Sequence, residues 1–300
     1  MSNLDDGPAA PQNEINSKPR SDITPVVTVS LVSIGSLGLS VVTAALFAVA
    51  IAITATHFGW IEVSVDASLD DKLGAVGKFR SVSIAAGVLG TSATLLLVSL
   101  FASLRRGSGF RERVRLRRPS FLHLLLVTVG MLAFTQALSS IIFLLGLDKM
   151  GNLAEFNAVF QAWSTQKRFL MLPILALCPG IAEEFFFRGY AFSRVEQSHG
   201  WLVAAGLSAV LFGLIHLDPI HSVAATFMGL YLAFAVKVTG SIWTTILAHI
   251  INNATAVMFP NLTPDETLFQ GIWSFCGLTV AGVVMFILWK SQKPARVVRW

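Results

Sequence analysis

Charge and cysteine are what this 300-residue chain has little of. Asp, Glu, Lys and Arg supply 13% of it, against roughly 25% in soluble domains. Apolar residues reach 54%, and the mean hydropathy is +0.69. So few charges cannot cover a water-facing surface, which excludes a disordered chain, an ordinary soluble enzyme and most nucleic-acid binders. The two cysteines, Cys178 and Cys276, both lie in apolar runs, so neither a disulfide framework nor a thiolate metal site is expected. Internal repeats are missing as well, and no polar stretch is long enough to make a separate soluble domain.

In place of charge there are long apolar runs. Residues 1–24 read as a disordered polar tail. The run that follows, Val26 to Phe58, is too long for a signal-peptide core and exceeds the ~20 residues a bilayer requires. Further runs lie at about 82–104, 121–147, 169–192, 201–217, 220–236, 241–259 and 270–289, giving about eight candidate spans within a domain over 25–290. A basic tail, 291–300, closes the chain. The expected fold class is all-α: a polytopic transmembrane helical bundle in contact with membrane lipid, with no nucleic-acid partner. Oligomeric state is not legible.

The few charges orient that bundle. Arg105 to Arg118 holds seven arginines against one glutamate, and the C-terminal tail carries Lys290, Lys293, Arg296 and Arg299 with no acid. The 59–81 and 260–269 loops lean acidic. Eight spans with both N and C termini cytoplasmic put every basic cluster inside. The net charge of +5 is then a topology signal, and the expected location is a prokaryotic plasma membrane with the basic loops cytoplasmic.

Ionisable groups within spans are costly and mark function. They concentrate between residues 183 and 253. Span four carries Glu183, Glu184 and Arg188; span five carries Phe212 and His216; span seven carries His249, Asn252 and Asn253. Glu184 and Arg188 are i and i+4 with the acid first, the favourable order for a pair on one helix face. Alone, that pair also reads as a structural bridge, and either histidine as an interhelical hydrogen-bonder. Glu183 points ~100° away from Glu184 and has no partner in its own helix. A lone buried carboxylate must find a partner or take a proton, which suits a general base. His249 and Asn253 share a face, as do Phe212 and His216. Three helices each offering such groups point to a site.

In that order, Glu183-Glu184-x-x-x-Arg188, Phe212-x-x-x-His216 and His249-x-x-x-Asn253 resemble the signature of the CPBP family of intramembrane proteases. This group includes the type II CAAX prenyl endopeptidases and bacteriocin-processing or bacteriocin-immunity relatives. The resemblance covers a core at about 165–259; spans one to three and eight resemble nothing specific. It implies endopeptidase chemistry on a membrane-associated protein or peptide, prenylated CAAX-type substrates among them. Glu183 would activate a water and His216 position it. His249 and Asn253 would stabilise the oxyanion, while Glu184 and Arg188, with Phe212, would support the site.

The resemblance also raises zinc, with Glu183, His216 and His249 as ligands. No H-E-x-x-H pair exists, and Asn253 is a poor zinc ligand but a good oxyanion donor, so the expectation is a metal-free enzyme without cofactor. At ~1.5 Å per residue, Glu183 and His249 are level in the membrane, whereas His216 lies ~8–10 Å too far along span five. That mismatch predicts a low-lying five–six hairpin with its tip, 216–219, lining a cavity in the membrane. Two other readings are a catalytically silent scaffold or immunity protein of the same fold, and a proton-coupled transporter. The transporter would require paired interrupted helices in two halves, whereas the polar residues here lie in one.

Overall fold

A computed structural model describes residues 23–57, 69–104, 109–150, 153–260 and 267–291, and no strand occurs among them. Most of the polar tail over 1–24 and of the basic tail over 291–300 lies outside the described residues. So do 58–68 and 261–266 in the two acidic-leaning loops, and 105–108 in the arginine-rich one.

All eight apolar runs are helical. Helix α1 spans Thr24–His57 and α2 Leu69–Leu104; α3, Phe110–Arg113, is a single turn; α4 spans Phe121–Leu144. A short helix, α5 (Leu153–Gln161), precedes α6 (Thr165–Leu172), α7 (Cys178–Glu184) and α8 (Ser193–Leu214). Then come α9 (Pro219–Thr239), α10 (Ile242–Met258) and α11 (Thr267–Lys290). Among the described residues, six segments are long and apolar enough to cross a membrane: Thr24–Ala50, Ser81–Leu104, Phe121–Leu144, Thr165–Leu214, Pro219–Thr239 and Leu268–Lys290. The difference from eight has two local causes. Expected spans four and five fall within the one segment Thr165–Leu214, although the backbone leaves helical geometry at Gly200 (φ 79°, ψ 167°) and divides it there, and α10 has only 17 residues.

Local chemistry explains most helix ends. Ser120, Ser164, Asp218 and Ser241 cap α4, α6, α9 and α10, each accepting a backbone N–H of the first turn. Gly146 and Gly240 stop α4 and α9 in the left-handed conformation. Between α6 and α8 the chain departs from α geometry. Pro173–Leu177 and Phe185–Phe192 are π-helical and flank α7 on both sides. Pro173 and Pro179 each remove an N–H and crowd the preceding turn, and the wider π turns relieve that crowding.

Helices α1 and α2 pack through small residues. A side chain on Gly90 would lie 2.5 Å from the backbone nitrogen of Ala44, and Thr43 donates to the Gly90 carbonyl at 3.0 Å. Close backbone approach of this kind drives helix association in lipid, where apolar burial is not a driving force. The outward faces of α1 and α11 carry exposed Leu31, Ile34, Leu268 and Phe275, which would be a liability in water and suit acyl chains. The main core, around Leu95, Phe186, Phe187, Phe192 and Phe212, sits where the two π segments and α7 meet α2 and α8. The protein is therefore an integral multi-pass helical bundle.

The arginine-rich loop is more than a charged connector. Arg113 donates to the Ser103 carbonyl at 2.9 Å. Val114 is fully buried beside Gly189. Arg115, with φ 58°, donates to Ser193 Oγ at 2.9 Å, pairs with Glu196 and lies over the Phe192 ring. Burial lowers the Arg115 pKa from the ordinary arginine value, and Glu196 opposes that shift. The Arg115 carbonyl accepts from Ile242 N and the Arg117 carbonyl from Ser241 Oγ. Residues 113–117 thus strap the ends of π segment 185–192, α8 and α10 together.

Candidate active site

Helix α7 delivers both glutamates. Gly180 lets it approach α10, because a side chain there would lie 2.5 Å from Ile250 Cγ1 and 3.1 Å from Ile250 N. That contact sets Glu183 and Glu184 level with His249. Glu184 and Arg188 are fully buried and joined at 2.8 Å, the i,i+4 pair expected from the sequence. Arg188 also donates to the Gly229 carbonyl on α9 at 3.1 Å, and its guanidinium lies 4.5 Å above the Phe212 ring. The cation is therefore held by three separate elements.

Glu183 finds its partner across the helix interface. His249 Nε2 lies 3.7 Å from Glu183 Oε2, and His249 Nδ1 lies 3.0 Å from Glu184 Oε1. One imidazole thus faces two adjacent carboxylates, one through each nitrogen. Glu184 is neutralised by Arg188; among the described residues, Glu183 has only the histidine edge as an ionic partner. This difference separates two residues that are neighbours in sequence.

Phe212 joins the histidines. Its fully buried ring lies edge-on to His216 at 5.2 Å and to His249 at 5.7 Å. His216 Nδ1 is 2.9 Å from the Phe212 carbonyl. A carbonyl only accepts, so Nδ1 carries the proton and Nε2 keeps its lone pair. The α8–α9 turn, 215–218, includes Leu217 at φ 54° and the buried cap Asp218, which accepts from His221 N at 2.8 Å. The two histidines therefore converge on Phe212, and His249 links that ring to the glutamates. Helix α9 has 21 residues, longer than the ~17 expected for span six.

Asn253 lies half-buried one turn beyond His249, and Asn252 Nδ2 donates to its Oδ1 at 3.4 Å. His221 was not singled out from the sequence. Its ring centroid lies 4.4 Å from that of His216. The available signal was Asp218-Pro219 as a helix start, which folds the third following residue back over the turn. Among the described residues, no three His, Cys, Asp or Glu side chains are gathered closely enough to hold a metal ion. Glu183, His216 and His249 do not fit a zinc site as they stand.

Comparison with known proteins follows the same segment. Residues 165–255 match the family described as type II CAAX prenyl endopeptidase Rce1-like. A Bacillus subtilis (strain 168) protein, "Putative membrane peptidase YdiL", is 34% identical over 116 residues, 39% of this chain and 47% of that protein. The chain thus covers about half the length of this curated relative. No solved structure matches. The matched segment contains Glu183, Glu184, Arg188, Phe212, His216, His249 and Asn253, and over it the chain shows the Rce1-like, CPBP-type family resemblance that its ordered motifs carry.

Proposed function

We propose that this chain is an intramembrane endopeptidase that hydrolyses a peptide bond of a membrane-associated protein or peptide, using a water activated by Glu183. The observation that carries this reading is the unequal environment of the two glutamates: Glu184 is locked to Arg188, while among the described residues Glu183 pairs only with His249 Nε2. A carboxylate without a fixed cation is available to exchange a proton; one held in a buried ion pair is not.

The geometry suits each remaining role. His216 Nε2 is an acceptor and can orient the water by accepting one of its hydrogens. Glu183 removes the other as the water oxygen bonds to the carbonyl carbon. His249 turns one nitrogen toward each carboxylate, and with the Asn253 amide it is the donor offered to the developing oxyanion. The proton on Glu183 then passes to the leaving amine as the C–N bond breaks, which balances the hydrolysis. No metal enters these steps. A prenylated CAAX-type protein is one substrate class consistent with the matched family.

The test is hydrolysis of a membrane-tethered peptide by purified protein in detergent, for wild type, Glu183→Ala and Glu184→Ala, with and without a chelator. The expected result is loss of cleavage in both variants and no chelator effect. Cleavage by Glu183→Ala at the wild-type rate would refute the mechanism; chelator inhibition reversed by zinc would refute its metal-free form.

A further inference from the structure

An amide stabilises an oxyanion only with its NH2 end toward the substrate, because the opposite rotamer presents lone pairs to a negative charge. Asn253 is half-buried, and something must select that orientation. Two groups are placed to do so. Asn252 Nδ2 donates to Asn253 Oδ1 at 3.4 Å, which occupies the carbonyl end. Asn252 Oδ1 in turn lies 2.7 Å from Thr135 Oγ1.

Thr135 belongs to α4, 117 residues before Asn252 and outside the matched segment 165–255. Its hydroxyl has one proton and three acceptors in reach: Asn252 Oδ1 at 2.7 Å and the carbonyls of Met131 and Leu132 at 3.0 and 3.3 Å. The shortest contact takes the proton. Asn252 and Asn253 point ~100° apart on α10, so one turns toward α4 while the other shares the His249 face. All three side chains are half-buried, which limits competition from water.

We propose that Thr135 and Asn252 form a relay that holds the Asn253 amide with its oxygen engaged and its NH2 group presented to the oxyanion. Both are positioning residues, and the proposal rests on the endopeptidase reading above. Helix α4, which lies outside the family-matched core, thereby becomes part of the catalytic apparatus.

The test measures kcat and KM for cleavage of a membrane-tethered peptide by full-length wild type, Thr135→Val, Thr135→Ser, Asn253→Ala and the Thr135→Val/Asn253→Ala double variant. Unfolding midpoints in the same detergent serve as a fold control. Valine keeps the shape of threonine and removes only the hydroxyl. The expected result is a kcat reduced about tenfold with KM within twofold, smaller than the roughly 10²–10³ lost with a whole oxyanion donor. Serine should restore kcat, and Thr135→Val should have no further effect once Asn253 is alanine, the signature of coupled residues. A Thr135→Val kcat within twofold of wild type, or an equal loss in both backgrounds, overturns the relay while leaving the peptidase reading intact. Equal cleavage by wild type and Glu183→Ala overturns both.

Discussion

Replacing Glu184 and Glu183 singly with glutamine should separate stability from catalysis. The two residues are adjacent, and glutamine matches glutamate in shape, so only charge changes. Glu184 and Arg188 are fully shielded from solvent and 2.8 Å apart. Glu184→Gln leaves the Arg188 guanidinium buried, with the Gly229 carbonyl and the Phe212 face as its remaining contacts. Removing one partner of a buried pair costs about 3–5 kcal/mol, because the other charge stays desolvated. Glu184→Gln should therefore lower the unfolding midpoint in detergent clearly, and weaken the 3.0 Å contact to His249 by removing its charge. Glu183→Gln breaks only a 3.7 Å approach to the same histidine and should leave the midpoint close to wild type. Its cleavage rate should fall by about 10²–10⁴, the usual worth of a general base. Thermal unfolding and peptide hydrolysis on the same preparations read both quantities. Equal midpoint losses for the two variants, or a Glu183→Gln enzyme as fast as wild type, would refute the division of roles.

Four further substitutions follow from the packing. Gly180→Ala places a methyl group 2.5 Å from Ile250 Cγ1, so α7 must back away from α10. It should cost about 1–3 kcal/mol of stability and reduce cleavage as the Glu184–His249 contact opens. His216→Ala removes a half-buried side chain and should abolish most cleavage while shifting the unfolding midpoint little. Arg115→Ala cuts the strap to Ser193 and Glu196 and should lower the midpoint. Lys237→Ala, at a 30% exposed side chain, should scarcely move it, and the contrast is read by parallel melts.

Much of the site was legible because charge is rare in lipid-spanning sequence. Glu183, Glu184 and Arg188 stand out in an apolar run, and the Glu184–Arg188 pair is a local consequence of helical spacing. The same locality made Phe212–His216 readable. It could not reveal that His249 meets both glutamates, because that contact joins α10 to a helix 65 residues earlier. Nor could it show the π turns around α7, since apolar residues on every side leave no periodicity to distinguish five-residue from four-residue hydrogen bonding.

The sequence by itself determined a helical membrane bundle, the eight apolar runs and the residues expensive enough to be functional, because burial cost and helix periodicity act within a few residues. Tertiary structure alone decided how those residues divide. Gly180 brought α7 against α10, and Phe212 gathered the two histidines. Thr135 reached Asn252 from α4, and the arginine-rich loop became a strap instead of a solvated connector. Each of these is a contact between distant segments, set by which small residues allow two backbones to approach and by which buried polar atoms must then find partners.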